Sequence, residues 1–208
     1  MDTTMPNKPT KPTAGFAILK EIKAPDSVPE HMRKVLGLLM GEAHDLRLVF
    51  LTFQGLYKQS EGNIPLLEKT APRFFGLISG VLLEHLIIGI ARFTDPEMSG
   101  DKRNLTLRAL FEKEKPPELD QLHQKSGNIR VIRNKIIAHL DWEAGLMPNE
   151  YLKQVSYSEI RELTELIETI AKKAWTEWTG NHFVFDESLA PDILDCLARI
   201  PNEWDENS

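Results

Sequence analysis

Cysteine is almost absent: Cys196 stands alone among 208 residues, which excludes an internal disulfide. Residues 1–15 also lack the apolar core of a secretory signal, so a reducing, cytoplasmic setting is expected. The sequence holds no Gly-rich phosphate-cradling lysine motif, no HExxH, no paired CxxC and no Glu-x-x-His pair. These absences argue against P-loop nucleotide hydrolysis, zinc-peptidase chemistry and di-iron chemistry, and neither a metal nor a cofactor is expected. Cations are in deficit, 25 lysines and arginines against 31 acids, for a formal charge of −6. That balance argues against a protein that coats nucleic acid with its whole surface and leaves room for a local basic site. Period-two alternation is scarce, so strands are expected only incidentally, near residues 183–185.

What is present reads as helix, with 41% hydrophobic residues, enough to bury the core of one domain. Residues 1–28 carry Pro6, Pro9, Pro12 and Pro25 among polar residues and read as a flexible tail, docked at most near residues 16–19. From residue 29, Met32, Val35, Leu36, Leu39, Ala43, Leu46, Val49, Phe50, Phe53 and Tyr57 recur at helical steps, predicting one long helix. A second helix begins at Pro65 or Pro72 and ends before Asp95 and Pro96. A short helix is expected over residues 104–112 and a third long one over 118–140, weakened in its middle by Gly127. Ser156 or Ser158 caps a fourth, over residues 159–178, and a last short helix covers 189–200. The expected fold is therefore all-α, an antiparallel bundle of four long helices and two short ones over residues 29–200, followed by an acidic tail at 201–208.

Residues 74–93, FFGLISGVLLEHLIIGIARF, have the length of a membrane-spanning helix. Glu84 and His85 in the middle would be costly at bilayer depth, and Gly76, Gly80, Gly89 and Ser79 suit close helix packing. A central helix buried in protein is expected, with Glu84 and His85 hydrogen-bonded at a helix junction and no membrane partner. Cys196, flanked by Asp192 and Asp195, reads as a packing residue rather than a nucleophile. His31, His44, His123 and His182 lack a spaced partner and read as surface or packing residues.

The informative stretch is residues 121–140, QLHQKSGNIRVIRNKIIAHL, which holds Lys125, Arg130, Arg133 and Lys135 and no acid at all. In an acidic protein this is a local cationic stripe, suited to an anionic ligand or an acidic partner surface. On a straight α-helix Arg133 and His139 stand about 120° apart in azimuth and about 9 Å apart along the axis. His139 falls at the edge of the apolar face and Arg133 to one side, an arrangement suited to a groove. If two copies met there about a two-fold axis, two arginines and two histidines would converge on one phosphate-sized space.

The run Arg133-Asn134-Lys135-Ile136-Ile137-Ala138-His139-Leu140-Asp141 resembles the Arg, polar residue, spacer, His motif of the HEPN superfamily of helical RNases and related domains. Upstream, Ala91-Arg92-Phe93-Thr94-Asp95-Pro96 followed by Asn104-Leu105-Thr106-Leu107 is similar to the abortive-infection, AbiU-type branch. The resemblance implies a homodimeric, metal-independent endoribonuclease of a toxin-like antiviral defence system, acting on RNA, with an antitoxin or nucleotidyltransferase as a further partner. It implies His139 as general acid or base, Arg133 as stabiliser of charge on phosphorus, and Asn134 as an orienting group. Products would be a 2',3'-cyclic phosphate and a 5'-hydroxyl. Lys135 and Arg130 are assigned to flanking phosphates by charge and position. Arg92 and Asp95 are given a structural or site-supporting role: pairing with each other, fixing the loop to Asn104, or, for Asp95, answering Arg133. The alternative is a non-catalytic HEPN-like module that binds a partner protein or nucleotide through the same helix.

Overall fold

The computed structural model describes residues 22–58, 63–112, 114–138 and 154–185. Three long helices carry the core: α1 (Glu30–Tyr57), α3 (Pro72–Thr94) and α6 (Tyr157–Thr179), with α2 (Asn63–Thr70) between the first two. The helical pattern of α1 is realised, Met32, Leu36, Leu39, Met40, Ala43, Leu46, Phe50 and Phe53 lying buried along one side. Pro72 stands in the first turn of α3, where its missing N–H costs no intrahelical bond. The Ser156 hydroxyl accepts the Glu159 amide at the start of α6, and Gly180, at φ +70°, ends it in the left-handed conformation that only glycine adopts freely. α1 packs against both α3 and α6, and Gly89 brings α3 close to α1 by leaving room for the Leu46 side chain. The architecture is all-α, as expected, apart from a two-residue hairpin, β1 (Met98–Ser99) and β2 (Lys102–Arg103), which turns at Gly100.

Several expectations change. The third long helix is broken into α4 (Pro117–Lys125) and α5 (Gly127–Ile132), so the bundle has three long helices among the described residues. The cause is local: the Ser126 hydroxyl returns to the His123 carbonyl, and the glycine that follows has no side chain to pack. Beyond Ile132 the chain winds as a π-helix over Arg133–Ala138. The short helix expected at 104–112 is a single 3-10 turn, Leu107–Leu110, pinned where the Trp178 indole donates to the Leu110 carbonyl at 2.7 Å. Residues 22–28, expected in the flexible tail, pack on α1: Ala24 and Val28 are buried, and the Ile22 carbonyl sits so close to Gly37 that a Cβ there would lie 2.3 Å from it.

A further change concerns α3. Its C-terminal half is buried through Leu86, Ile87, Ile90, Ala91 and Phe93, but its N-terminal half is not. Phe74, Leu77 and Val81 are exposed, as are Glu84 and His85, so these two are solvated rather than hydrogen-bonded at an interior junction. α3 is long and apolar enough to cross a membrane by length and composition alone. Residues 183–185 form no strand; Phe183 and Phe185 instead pack their rings on Trp175 and on the buried His44. His139, Cys196, the helix expected at 189–200 and the acidic tail at 201–208 lie outside the described residues.

Candidate active site

Asp95 follows the last turn of α3 in extended backbone, which ends the helix there. Just before it, the buried Thr94 hydroxyl bonds back to the Ala91 carbonyl at 3.0 Å, holding that turn closed. The loop that leaves Asp95 is closed by Asn104, whose side-chain amide donates to the Pro96 carbonyl at 2.7 Å and whose backbone amide donates to the Glu97 carbonyl at 2.8 Å. Asn104 itself therefore fixes this loop. Arg92 reaches instead to Glu42 on α1, at 3.7 Å, and Asp95 receives Nη2 of Arg133. Of the three pairings open in the sequence, the fold selects the one that joins the two motif segments.

Arg133 opens the π-helical stretch, and its side chain is only partly exposed. Asp95 takes one end of the guanidinium, while Nε is buried with no hydrogen-bond partner among the described residues. An unpaired buried donor of this kind costs about 1–3 kcal/mol, which an incoming anionic oxygen can recover. Because a π-helix closes i→i+5 rather than i→i+4 hydrogen bonds, the azimuth calculated for a straight α-helix between Arg133 and His139 does not apply here. Single π-turns inside α-helices are also rare and concentrate at functional sites.

The remaining candidates are placed as follows. Asn134 is exposed and Lys135 half-buried, both on the π-helical turn. Arg130 lies one turn earlier and clamps the helix break, its Nη1 within 3.1 Å of the His123 carbonyl and the Ser126 hydroxyl and 3.0 Å from the His123 ring. No group of three or more potential metal ligands occurs among the described residues.

Sequence reasoning overlooked the cavity next to this pair. A space of about 270 Å³ is lined by Leu38, Glu42, Arg92, Asp95, Asn104 and Leu105. Leu38 and Leu105 are exposed apolar residues that only the meeting of α1 with the hairpin loop brings together. A second cavity of about 610 Å³ shares Asn104 and Leu105 with it and adds Arg103, Arg108 and Lys115. Arg108 and Lys115 are paired there with Asp120 and Glu97. One turn along α1, burial pushes the Asp45 carboxyl above its ordinary value, an effect His44 opposes, neighbouring Glu42 adds to and His85 opposes.

No curated protein and no solved structure matches the chain. The family model for AbiU2 HEPN domains matches residues 30–198, a span that contains both motif segments and all three long helices. The chain belongs to the AbiU2 family of HEPN domains.

Proposed function

We propose that this HEPN domain is an endoribonuclease that cleaves RNA without a metal, by attack of the ribose 2'-hydroxyl on the adjacent phosphorus. His139 takes the 2'-hydroxyl proton or supplies one to the leaving 5'-oxygen, the dual role for which an imidazole side chain is chemically suited near neutral pH. Arg133 stabilises the additional negative charge on the pentavalent phosphorus, to which its planar fork of donors is suited. The observation that carries this reading is the state of Arg133: anchored at Nη2 by Asp95, with a buried, unsatisfied Nε, on a π-helical turn that also bears Asn134 and Lys135. Anchoring fixes the guanidinium before substrate arrives, so little orientational freedom is lost on binding.

Asn134 orients the phosphate or the imidazole, and Lys135 and Arg130 hold flanking phosphates. The cavity beside Asp95 is near the lower end of small-ligand sites, about 300 Å³, and its Leu38 and Leu105 walls with Arg92 and Asn104 suit a nucleobase next to the cleaved linkage. A second copy meeting the motif helix about a two-fold axis would add its own Arg133 and His139 to a shared cleft. Such a nuclease acts in abortive infection as a restrained cytoplasmic toxin, with an antitoxin or nucleotidyltransferase as a fitting partner.

The test is cleavage of a 5'-labelled single-stranded RNA in chelator-treated buffer. Wild-type protein yields fragments ending in 2',3'-cyclic phosphate and leaves the all-deoxy oligonucleotide intact. His139→Ala and Arg133→Ala keep the helical circular dichroism and lose cleavage by at least about 100-fold, the usual size of an acid–base contribution. Undiminished cleavage by His139→Ala refutes the assignment. Absence of cleavage by every form, with partner binding lost in Arg133→Ala, would instead favour the non-catalytic binding module.

A further inference from the structure

Arg73, Gly76, Leu77, Gly80, Val81 and Glu84 recur along α3 at steps of three and four, so they share one helix face. Every one of them is exposed, Leu77 at 65% and Val81 at 52%. Phe74 beside the stripe and Ile64 on α2 are exposed as well. Apolar residues grouped in this way and rimmed by charge mark an interaction surface. The two glycines add an independent sign. Each weakens a helix interior relative to alanine, yet a Cβ at Gly76 or Gly80 would meet nothing within 4 Å, so nothing inside the described chain demands glycine there. At the two ends of the stripe, Arg73 and Glu84 form no ion pair among the described residues.

We propose that this face binds itself: a second copy of the chain docks α3 against α3, antiparallel, about a two-fold axis between Ile78 and Ser79. Positions equidistant from that axis then meet. Leu77 enters the space over Gly80 of the second copy, Val81 enters the space over Gly76, and Arg73 faces Glu84. Because the contact is isologous, each of these pairs forms twice. A parallel, in-register pairing would set leucine against leucine and arginine against arginine, which leaves the glycine space empty and opposes like charges. The antiparallel register alone satisfies size and charge together, with glycines permitting axes to approach closely. The axis lies about 16 residues, about 25 Å along the helix, from Asp95. This contact is therefore separate from the catalytic cleft and lends it no residue.

The test is the mass of the full chain in solution, by sedimentation or light scattering, over a concentration series. Leu77→Glu, Arg73→Glu and Glu84→Arg each lower the wild-type mass at least two-fold, and the double reversal Arg73→Glu with Glu84→Arg restores it. Circular dichroism melts confirm that each variant, altered only at an exposed position, remains folded. A monomeric wild type, single variants with unchanged mass, or a double reversal that fails to restore association overturns the proposal. So does binding of wild-type protein to phosphatidylcholine–phosphatidylglycerol vesicles with a mass that the reversals leave unaltered, which would assign the face to a membrane. Arg133→Ala removes RNA cleavage and leaves the mass unchanged, so failure of the nuclease reading and failure of this one are separately visible.

Discussion

Asp95→Ala severs the ion pair with Arg133 that ties together the two motif segments, and its cost follows from burial. Exposed ion pairs contribute about 0.2–1 kcal/mol, whereas removing one partner of a fully buried pair costs about 3–5 kcal/mol. The Arg133 and Asp95 side chains are 27% and 24% exposed, between those limits, so the loss should be about 2 kcal/mol. Part of that cost is specific to this site: Nη2 would join Nε as a second unsatisfied donor on one guanidinium. For a domain of this size 2 kcal/mol corresponds to a fall of about 4–8 °C in Tm. Arg133→Ala removes the partner charge, and the double variant should be more stable than the two single losses add up to. Urea unfolding of the four proteins gives the coupling directly, with about 1–3 kcal/mol expected. A coupling below about 0.5 kcal/mol would mean that the pair is an ordinary surface contact and that Arg133 is not held by Asp95 in solution.

Two other perturbations follow from the geometry. Lys173 donates to Glu118 and holds its carboxyl below the ordinary 4.5, so the stabilisation is present above that value and lost as pH falls through the lower, folded-state pKa. Glu118→Gln should consequently flatten the acid limb of stability between about pH 5 and 3; an unchanged limb in thermal melts across that range counts against the contact. Gly37→Ala should cost about 1–3 kcal/mol, because its methyl would push into the Ile22 carbonyl and displace residues 22–28, and trypsin should then cut after Lys23 faster; equal stability and equal cutting there would show that the segment does not pack on α1.

The sequence by itself determined that α1, α3 and α6 are long helices and which sides of α1 and α6 are apolar, since a stripe at three- and four-residue steps needs only local periodicity. It also determined the motif segments, Arg92 to Asn104 and Arg133 to His139, because residue type and spacing are written in one dimension. It could not choose a partner for Asp95. That choice depends on the meeting of the end of α3 with the start of the π-helical turn, 38 positions apart in the chain. Local pattern marked Gly127 as a weak point but could not foresee the full break at Ser126, where a hydroxyl competes for a helical carbonyl and Arg130 clamps the result. The glycines of α3 show the limit most plainly: spacing marked them as places of close approach, and only the fold separated Gly89, filled by Leu46, from Gly76 and Gly80, which face open space. Whether a small residue packs within its own chain is decided by what the other helices bring opposite it, a property of three dimensions that no window of sequence contains.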